Sequence, residues 1–362
     1  MTSGAFPFEA NPNPVDAADR AARLVDPGFG RVFTDHMVTI RYSDAKGWHD
    51  AKVGPRAPLT LDPATAVLHY AQEIFEGLKA YRLADGSMAL FRPEQNARRF
   101  QRSAKRLAMP ELPEDMFLQA CKQLVQVDKD WFPPVDGGSI YLRPFMIASE
   151  VFLGVKPSAE YLFMVIASSA GNYFKSGAPA ISIWVSEQYT RAARGGTGAA
   201  KCGGNYAASL VAQSEAIREG CDQVVFLDAA EHRWVEELGG MNLFFLFDDG
   251  SLLTPPTDGT ILEGITRDSV LTLARAQGLT VREERYAMDQ WRADAESGRL
   301  VEVFACGTAA VVTPVGTVKS TQGVFTIGAG GAGQMTQQIR TKLVDIQRGA
   351  AADTHGWVQR ID

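Results

Sequence analysis

The stretch RGGTGAAKCGGNYAASL, Arg194 to Leu210, places one lysine among five glycines and then runs into a helical pattern. Glycine-rich backbone costs conformational entropy and is kept where a chain turns sharply or approaches something closely. A single cation there, Lys201, is either a phosphate clamp or a nucleophile. The clamp reading requires GxxxxGK[ST]; here Ala200 precedes the lysine and Cys202 follows it. The hydroxyl that would hold magnesium is missing, so nucleoside triphosphate binding is rejected. A lysine in a tight, partly desolvated loop suits the second role, because loss of solvent favours the neutral amine that attacks a carbonyl cofactor.

The rest of the chain bounds what such a nucleophile serves. Its 362 residues suffice for about two domains. With 46% hydrophobic and 22% charged residues, they can fill a sizeable core. A net charge of −6 leaves no electrostatic footprint for nucleic acid. Cys121, Cys202, Cys221 and Cys306 form no CxxC pair, and five scattered histidines complete no zinc pattern, so neither a metal site nor a disulfide framework is expected. MTSGAFPFEANPNPVDAADR lacks the basic start and apolar run of a signal peptide. Apolar runs such as LFFLF, 243–247, are far too short for a membrane span. A cytoplasmic protein acting on small molecules, with no membrane and no nucleic-acid partner, is expected.

Period and turn signals order the chain. The first thirty residues, rich in Pro, Asn and Asp, read as a surface arm. RVFTDHMVTIRYS and MALFRPEQN suit strands, PEQNARRFQRSAKRLAM and EDMFLQACKQLVQVDKDWF amphipathic helices, and SIYLRPFMIAS and EYLFMVIASSA buried strands. Beyond a crossing segment, NYAASLVAQSEAIREG is one helix stopping at Gly220. A meander follows from Cys221, with turns at 228–231 and 248–250. The helix ITRDSVLTLARAQG, further strands around another helix, and a last helix, GQMTQQIRTKLVDIQRG, complete an α+β pattern.

Three other motifs bear on chemistry. GAGGAG, 328–333, matches a dinucleotide fingerprint but lies late and has no βαβ unit to follow, so it reads as a loop entering the last helix. Gly264, Ile265 and Thr266 open a helix and make a plausible anion cup. EELGGMN puts Glu237 beside paired glycines that leave room for a flat ligand. A pyridoxal phosphate cofactor would need a carboxylate at its ring nitrogen, a donor at its ring hydroxyl and a phosphate cup. Taken singly, each motif is more often structural.

Together, EIFEGLKAYR, LFRPEQNARRF, YLRPF, GGTGAAKCGGNYAASL, VEELGGMNLFF, GITRDSV and VFACGTAAVVTPV resemble the branched-chain amino-acid aminotransferases, fold-type IV pyridoxal-phosphate enzymes. The resemblance spans nearly the whole chain, in order. It implies two domains, a smaller N-terminal α/β domain over 1–174 and a larger cofactor-binding domain with a β-barrel-like core over 189–362. They are joined by 175–188, with pyridoxal 5'-phosphate in the cleft between them. It also implies a homodimer whose site is finished by a loop of the partner subunit.

Position by position, the resemblance makes Lys201 the residue that bonds the cofactor and shuttles the proton, and Tyr206 the partner of the ring hydroxyl. Glu237 becomes the carboxylate at the ring nitrogen. Arg99 takes the phosphate, adjacent Arg98 being the surface residue, and Gly264, Ile265, Thr266 and Thr308 complete the phosphate cup. Tyr70 and the backbone of Gly307 and Ala309 meet the substrate α-carboxylate. Arg143 takes the distal carboxylate of glutamate, and Phe29, Phe75, Tyr141 and Tyr173 wall the aliphatic pocket. The implied reaction is a reversible ping-pong transamination of leucine, isoleucine and valine with 2-oxoglutarate, giving branched-chain 2-oxo acids and L-glutamate.

Two departures stand out. Gly240 replaces a threonine carried by some members, removing a pocket hydroxyl, and Ala310-Val311-Val312-Thr313 replaces a redox-active CxxC. Cys306 and Cys202 then fill space. The rival readings are a D-amino-acid aminotransferase, an aminodeoxychorismate lyase, a non-catalytic scaffold of the same fold and a nicotinamide oxidoreductase. The first two tend to be shorter and lack the N-terminal arm, YLRPF and EELGGMN. The scaffold would have lost Lys201 or Glu237, and the oxidoreductase rests on one isolated glycine run.

Overall fold

The computed structural model describes residues 4–135, 137–171 and 180–361. Over these the chain forms, in order, α1 (Ala17–Leu24), β1 (Val32–Ser43), β2 (Gly47–Pro55), α2 (Val67–Tyr70), β3 (Glu73–Phe75), β4 (Leu78–Arg82), β5 (Met88–Phe91), α3 (Pro93–Arg106), α4 (Glu114–Val127), β6 (Ser139–Ala148) and β7 (Glu160–Ala170). Next come β8 (Ile181–Ser186), α5 (Gly203–Ala207), α6 (Leu210–Arg218), β9 (Gln223–Leu227), β10 (Val235–Leu238), β11 (Met241–Phe247), β12 (Ser251–Thr254) and α7 (Ile265–Ala276). The last elements are β13 (Thr280–Glu283), α8 (Met288–Glu296), β14 (Leu300–Gly307), β15 (Val311–Ser320), β16 (Gly323–Thr326), α9 (Gln334–Gln347) and β17 (Val358–Ile361).

Two compact units result, and they are not contiguous in sequence. One comprises Met1–Lys175, Ala200–Gly203 and Ile346–Asp362; the other comprises Ser176–Ala199 and Gly204–Asp345. The expected boundaries ran in simple chain order. Here the four residues around Lys201 and the C-terminal strand belong with the first unit. Segment 175–188, expected as a connection, contains β8, whose residues from Ile181 to Trp184 alternate between buried and half-buried positions as a sheet strand does.

In the first unit an antiparallel sheet runs β17-β5-β4-β6-β7-β1-β2, with β3 on β6. Alternation divides its side chains between two faces. Val38 and Ile40 of β1 and Phe163 and Val165 of β7 pack with Phe100 of α3 and Phe117 of α4. Met37, Leu162 and Met164 pack with Ile147 in a separate cluster. Strand β5 stops at Phe91 because Arg92 turns left-handed and Pro93 opens α3 at the position where its missing N–H costs nothing. β2 and β17 carry too little periodicity to be read from sequence; β17 is four residues long and gains its order by pairing with β5.

In the second unit the strands β10-β9-β8-β15-β14-β11 form a row, and β11 also pairs with β10, closing a six-strand ring. This is the barrel-like core of the α+β, fold-type IV expectation. The helix expected over 205–220 is broken into α5 and α6. At the break the Ser209 hydroxyl and amide both donate to the Tyr206 carbonyl, at 2.7 and 3.0 Å, diverting it from the helical ladder. The loop 328–333 leads into α9 as read. The amides of Met335 and Thr336 at the start of that helix donate to the Glu302 carboxylate, so this N-terminus already holds its anion.

Candidate active site

The first unit collects Lys201 and much of the expected substrate pocket around one aromatic ring. The Lys201 amide donates to Ser103 Oγ at 2.9 Å, and its carbonyl accepts from the Phe75 amide at 2.9 Å. With both backbone groups held, the side chain leaves a fixed point. Its Nζ lies 4.7 Å from the centroid of the Phe75 ring. The Arg143 guanidinium lies 4.8 Å from the same centroid. One quadrupolar ring thus carries two cations, a contact favoured when solvent is excluded.

Arg143 is oriented by Tyr141, whose hydroxyl accepts from Nη2 at 3.1 Å. Phe29 meets Tyr141 edge-on at 4.9 Å. Tyr141 fits because residue 77 is glycine: a Cβ there would sit 2.0 Å from the tyrosine oxygen. Tyr70 is an exposed residue, at 39%, and its hydroxyl donates to the Leu153 carbonyl on the loop after β6. Tyr173 lies outside the described residues.

Arg99, buried on α3, forms a two-point ion pair with Glu76, Nε to Oε1 at 2.7 Å and Nη2 to Oε2 at 2.9 Å. Asn96 Nδ2 donates to the same carboxylate at 2.7 Å. Burial alone would raise the Glu76 carboxyl. The Arg99 charge and hydrogen bonds, with the Lys201 charge and Asn96, outweigh it and hold the group below the usual carboxylate range. Arg98 points outward to Glu114, as expected of a surface residue.

In the second unit the hairpin joining β10 and β11 organises the other candidates. Glu237 is 1% exposed and pairs with Arg191 at 2.9 Å, while Oε2 also accepts from the Leu262 amide. Arg191 in turn donates to the Thr260 carbonyl at 2.9 Å. Gly240 lies at the turn, where an added Cβ would come within 3.2 Å of the Tyr206 ring. Gly307 backs onto Met241, and Gly264 onto the side chain of Asn242, whose Nδ2 donates to the Leu262 carbonyl at 3.1 Å. Asn242 itself pairs with Glu237 on one side and Cys306 on the other. Glu237, Tyr206, Gly264 and Gly307 are therefore all gathered on six residues of hairpin.

Gly264 caps α7 without a side-chain hydrogen bond, and the amides of Ile265 and Thr266 that follow have no acceptor within the helix. Thr308 and Ala309 form the turn between β14 and β15. This half-site offers amides and a hydroxyl for an anion, and a buried carboxylate paired with an arginine. Thr197 and Asn205 staple the glycine loop through two hydrogen bonds, 2.7 and 2.9 Å. Gly198 is required there, since its Cβ would meet the Thr260 carbonyl at 2.3 Å.

Arg191, Glu76 and Ser103 escaped sequence reading. Glu76 had a signal, an acid amid apolar residues in EIFEGL, which demands a buried partner. Arg191 and Ser103 sit in stretches with nothing to distinguish them from surface residues.

The family described as "Amino-transferase class IV" matches residues 73–318. The chain is 58% identical, over the full length of both, to the probable branched-chain-amino-acid aminotransferase of Streptomyces coelicolor. It is 53% identical to the branched-chain-amino-acid aminotransferase of Mycobacterium tuberculosis, again over the full length of both. Among solved structures, the branched-chain amino acid aminotransferase from Thermobaculum terrenum in its PLP form superposes with a TM-score of 0.71 at 26% identity, covering 89% of this chain and 98% of that one.

Proposed function

The chain belongs to the class IV amino-transferases, and from that membership we propose that it catalyses reversible amino transfer between branched-chain L-amino acids and 2-oxoglutarate. Leucine, isoleucine and valine are the amino donors, pyridoxal 5'-phosphate is the cofactor and the cytoplasm is the setting. The observation that carries the reading is the pairing of Lys201 and Arg143 on one Phe75 ring, a nucleophile beside an anion-binding cation in an apolar wall. The full-length relatives named above support the substrate class.

The residues present fit the cofactor. A buried carboxylate held by an arginine suits a protonated ring nitrogen, an uncapped helix N-terminus suits a phosphate, and a pinned lysine suits a carbonyl carbon. When bound, the cofactor supplies that carbonyl and an electron-withdrawing ring that acidifies the substrate α-proton. Lys201 Nζ moves the α-proton as base and then acid. Glu237 holds a proton at the ring nitrogen, and Tyr206 donates toward the ring hydroxyl. Arg99, Thr308 and the amides of Ile265 and Thr266 hold the phosphate, with Gly264 giving it room. Arg143, steadied by Tyr141, accepts the distal carboxylate of glutamate, while Phe29 and Phe75 cover an aliphatic side chain. The amides of Gly307 and Ala309 meet the α-carboxylate.

The active species in this reading is a homodimer. Leu68, Tyr70, Val151, Leu153 and Val155 are all exposed, Val155 at 90%, and a second copy would cover this apolar group. No helix among the described residues is long and apolar enough to cross a membrane.

Visible spectroscopy of the purified protein tests the reading. Yellow colour that bleaches with L-leucine and returns with 2-oxoglutarate is expected. Bleaching by D-alanine instead, or no coloured species with added pyridoxal phosphate, would overturn it.

A further inference from the structure

Glu73 belongs to none of the roles assigned above, yet it touches the nucleophile segment directly. Its Oε1 accepts the Gly203 amide, two residues beyond Lys201. That approach exists only because residue 203 is glycine, since a Cβ there would lie 2.3 Å from Oε1. Together with the Phe75 amide on the Lys201 carbonyl, β3 grips the segment 201–203 at two points.

The same strand face carries the pocket arginine. β3 and β6 pair with Glu73 opposite Ile147 and Phe75 opposite Phe145, so continuing the register puts Glu73, Phe75 and Arg143 on one face. Arg143 lies over the Phe75 ring and, among the described residues, donates only to Tyr141, leaving its buried Nε without a hydrogen-bond partner. Burial raises the Glu73 carboxyl above the usual range, while the Gly203 amide and the Arg143 charge pull it back. Among the described residues, Arg143 is thus a cation with no carboxylate hydrogen-bonded to it and with the Glu73 carboxylate within electrostatic reach.

We propose that Glu73 is a positioning and specificity-setting residue: it anchors the Lys201 segment through Gly203 and tempers the charge of Arg143. The inference rests on the aminotransferase reading. An untempered arginine would bind dicarboxylates tightly and make the pocket poor for an aliphatic side chain. A nearby fixed anion lowers the affinity for glutamate and 2-oxoglutarate and leaves leucine, which carries no distal charge, unaffected.

Two variants separate the two roles. In Glu73→Gln the amide oxygen still accepts from Gly203 but the charge is gone; Glu73→Ala removes both. Hydrogen exchange of the Gly203 amide, measured without cofactor or substrate, is expected to be similar in wild type and Glu73→Gln. In Glu73→Ala it is expected to be at least about tenfold faster. In steady-state kinetics Glu73→Gln is expected to lower KM for glutamate and 2-oxoglutarate about three- to tenfold, the effect of one charge across a partly screened site, with KM for leucine and kcat retained. Glu73→Ala is expected to lose kcat with every donor. Unchanged Gly203 exchange in Glu73→Ala, or a glutamate-to-leucine balance in Glu73→Gln equal to wild type, would overturn the proposal. The Gln variant tests the charge even where the alanine variant does not fold. A wild-type protein without transaminase activity would sink the functional reading, whereas the exchange measurement judges the anchor on its own.

Discussion

Gly240 lies against the ring of Tyr206: an added Cβ would come 3.2 Å from Cε1 and 3.5 Å from the hydroxyl oxygen, so the ring would have to give by a few tenths of an ångström. The position where some family members carry threonine thus adjoins the ring expected to meet the cofactor's hydroxyl. Gly240→Thr is expected to push the Tyr206 ring from its place and weaken cofactor binding by about tenfold or more, an overpacking effect. Titration of the cofactor-free protein with pyridoxal phosphate measures it, and an unchanged dissociation constant would show that Tyr206 has somewhere else to go.

Arg191 is expected to matter to stability as well as to chemistry. Removing it by Arg191→Ala takes the arginine charge from beside the buried Glu237 carboxylate, at a cost of about 3–5 kcal/mol. Chemical denaturation of the cofactor-free protein reads the loss. Arg191→Lys keeps the charge without the planar fork whose Nη1 faces Glu237 and the Thr260 carbonyl while Nη2 donates to the Gly198 carbonyl, and is expected to recover only part of it.

The Glu76–Arg99 pair predicts a pH dependence. The folded-state pKa of Glu76 is depressed, so its contribution to stability is complete above the ordinary carboxylate value of the unfolded chain. It is lost as pH falls through the lower, folded value. Glu76→Gln is expected to flatten the part of the stability curve below about pH 4 while lowering stability at neutral pH. Denaturant midpoints measured from pH 7 to pH 3 decide the matter, and parallel curves for variant and wild type would refute it.

Arg143→Ala is expected to raise KM for glutamate and 2-oxoglutarate by on the order of 30-fold, the loss of a charge-assisted bidentate contact, with little effect on leucine. Equal losses for all three substrates would show that the cation holds the pocket together through Phe75 and Tyr141 and does not read the distal carboxylate.

Burial raises the thiols of Cys121 and Cys306 far above their ordinary range. Both are expected to resist alkylation in the native protein at pH 8 and to react once denatured. Mass spectrometry after iodoacetamide treatment distinguishes the two states. Rapid native labelling of Cys306 would contradict the space-filling role assigned to it.

Much of this protein was legible in its residues alone. Local signals carried the two amphipathic helices of the first half, the long buried strands, the meander and the dismissal of GAGGAG, because hydrophobic period and turn chemistry act over a few neighbouring positions. The motif set carried the family and a candidate for almost every site role. What remained hidden depends on distant partners. Ser209 interrupts a good helical pattern with its own hydroxyl, and β17 is ordered only by β5. Closure of the ring follows from β10 pairing on both sides. Arg191, Glu73 and Ser103 look like ordinary polar residues until the fold sets them against Glu237, Gly203 and Lys201. A sequence displays which groups can do chemistry. Which of them are stripped of water and given a partner is decided by tertiary packing, since burial and pairing are properties of the folded chain and set both the charge and the orientation of each group.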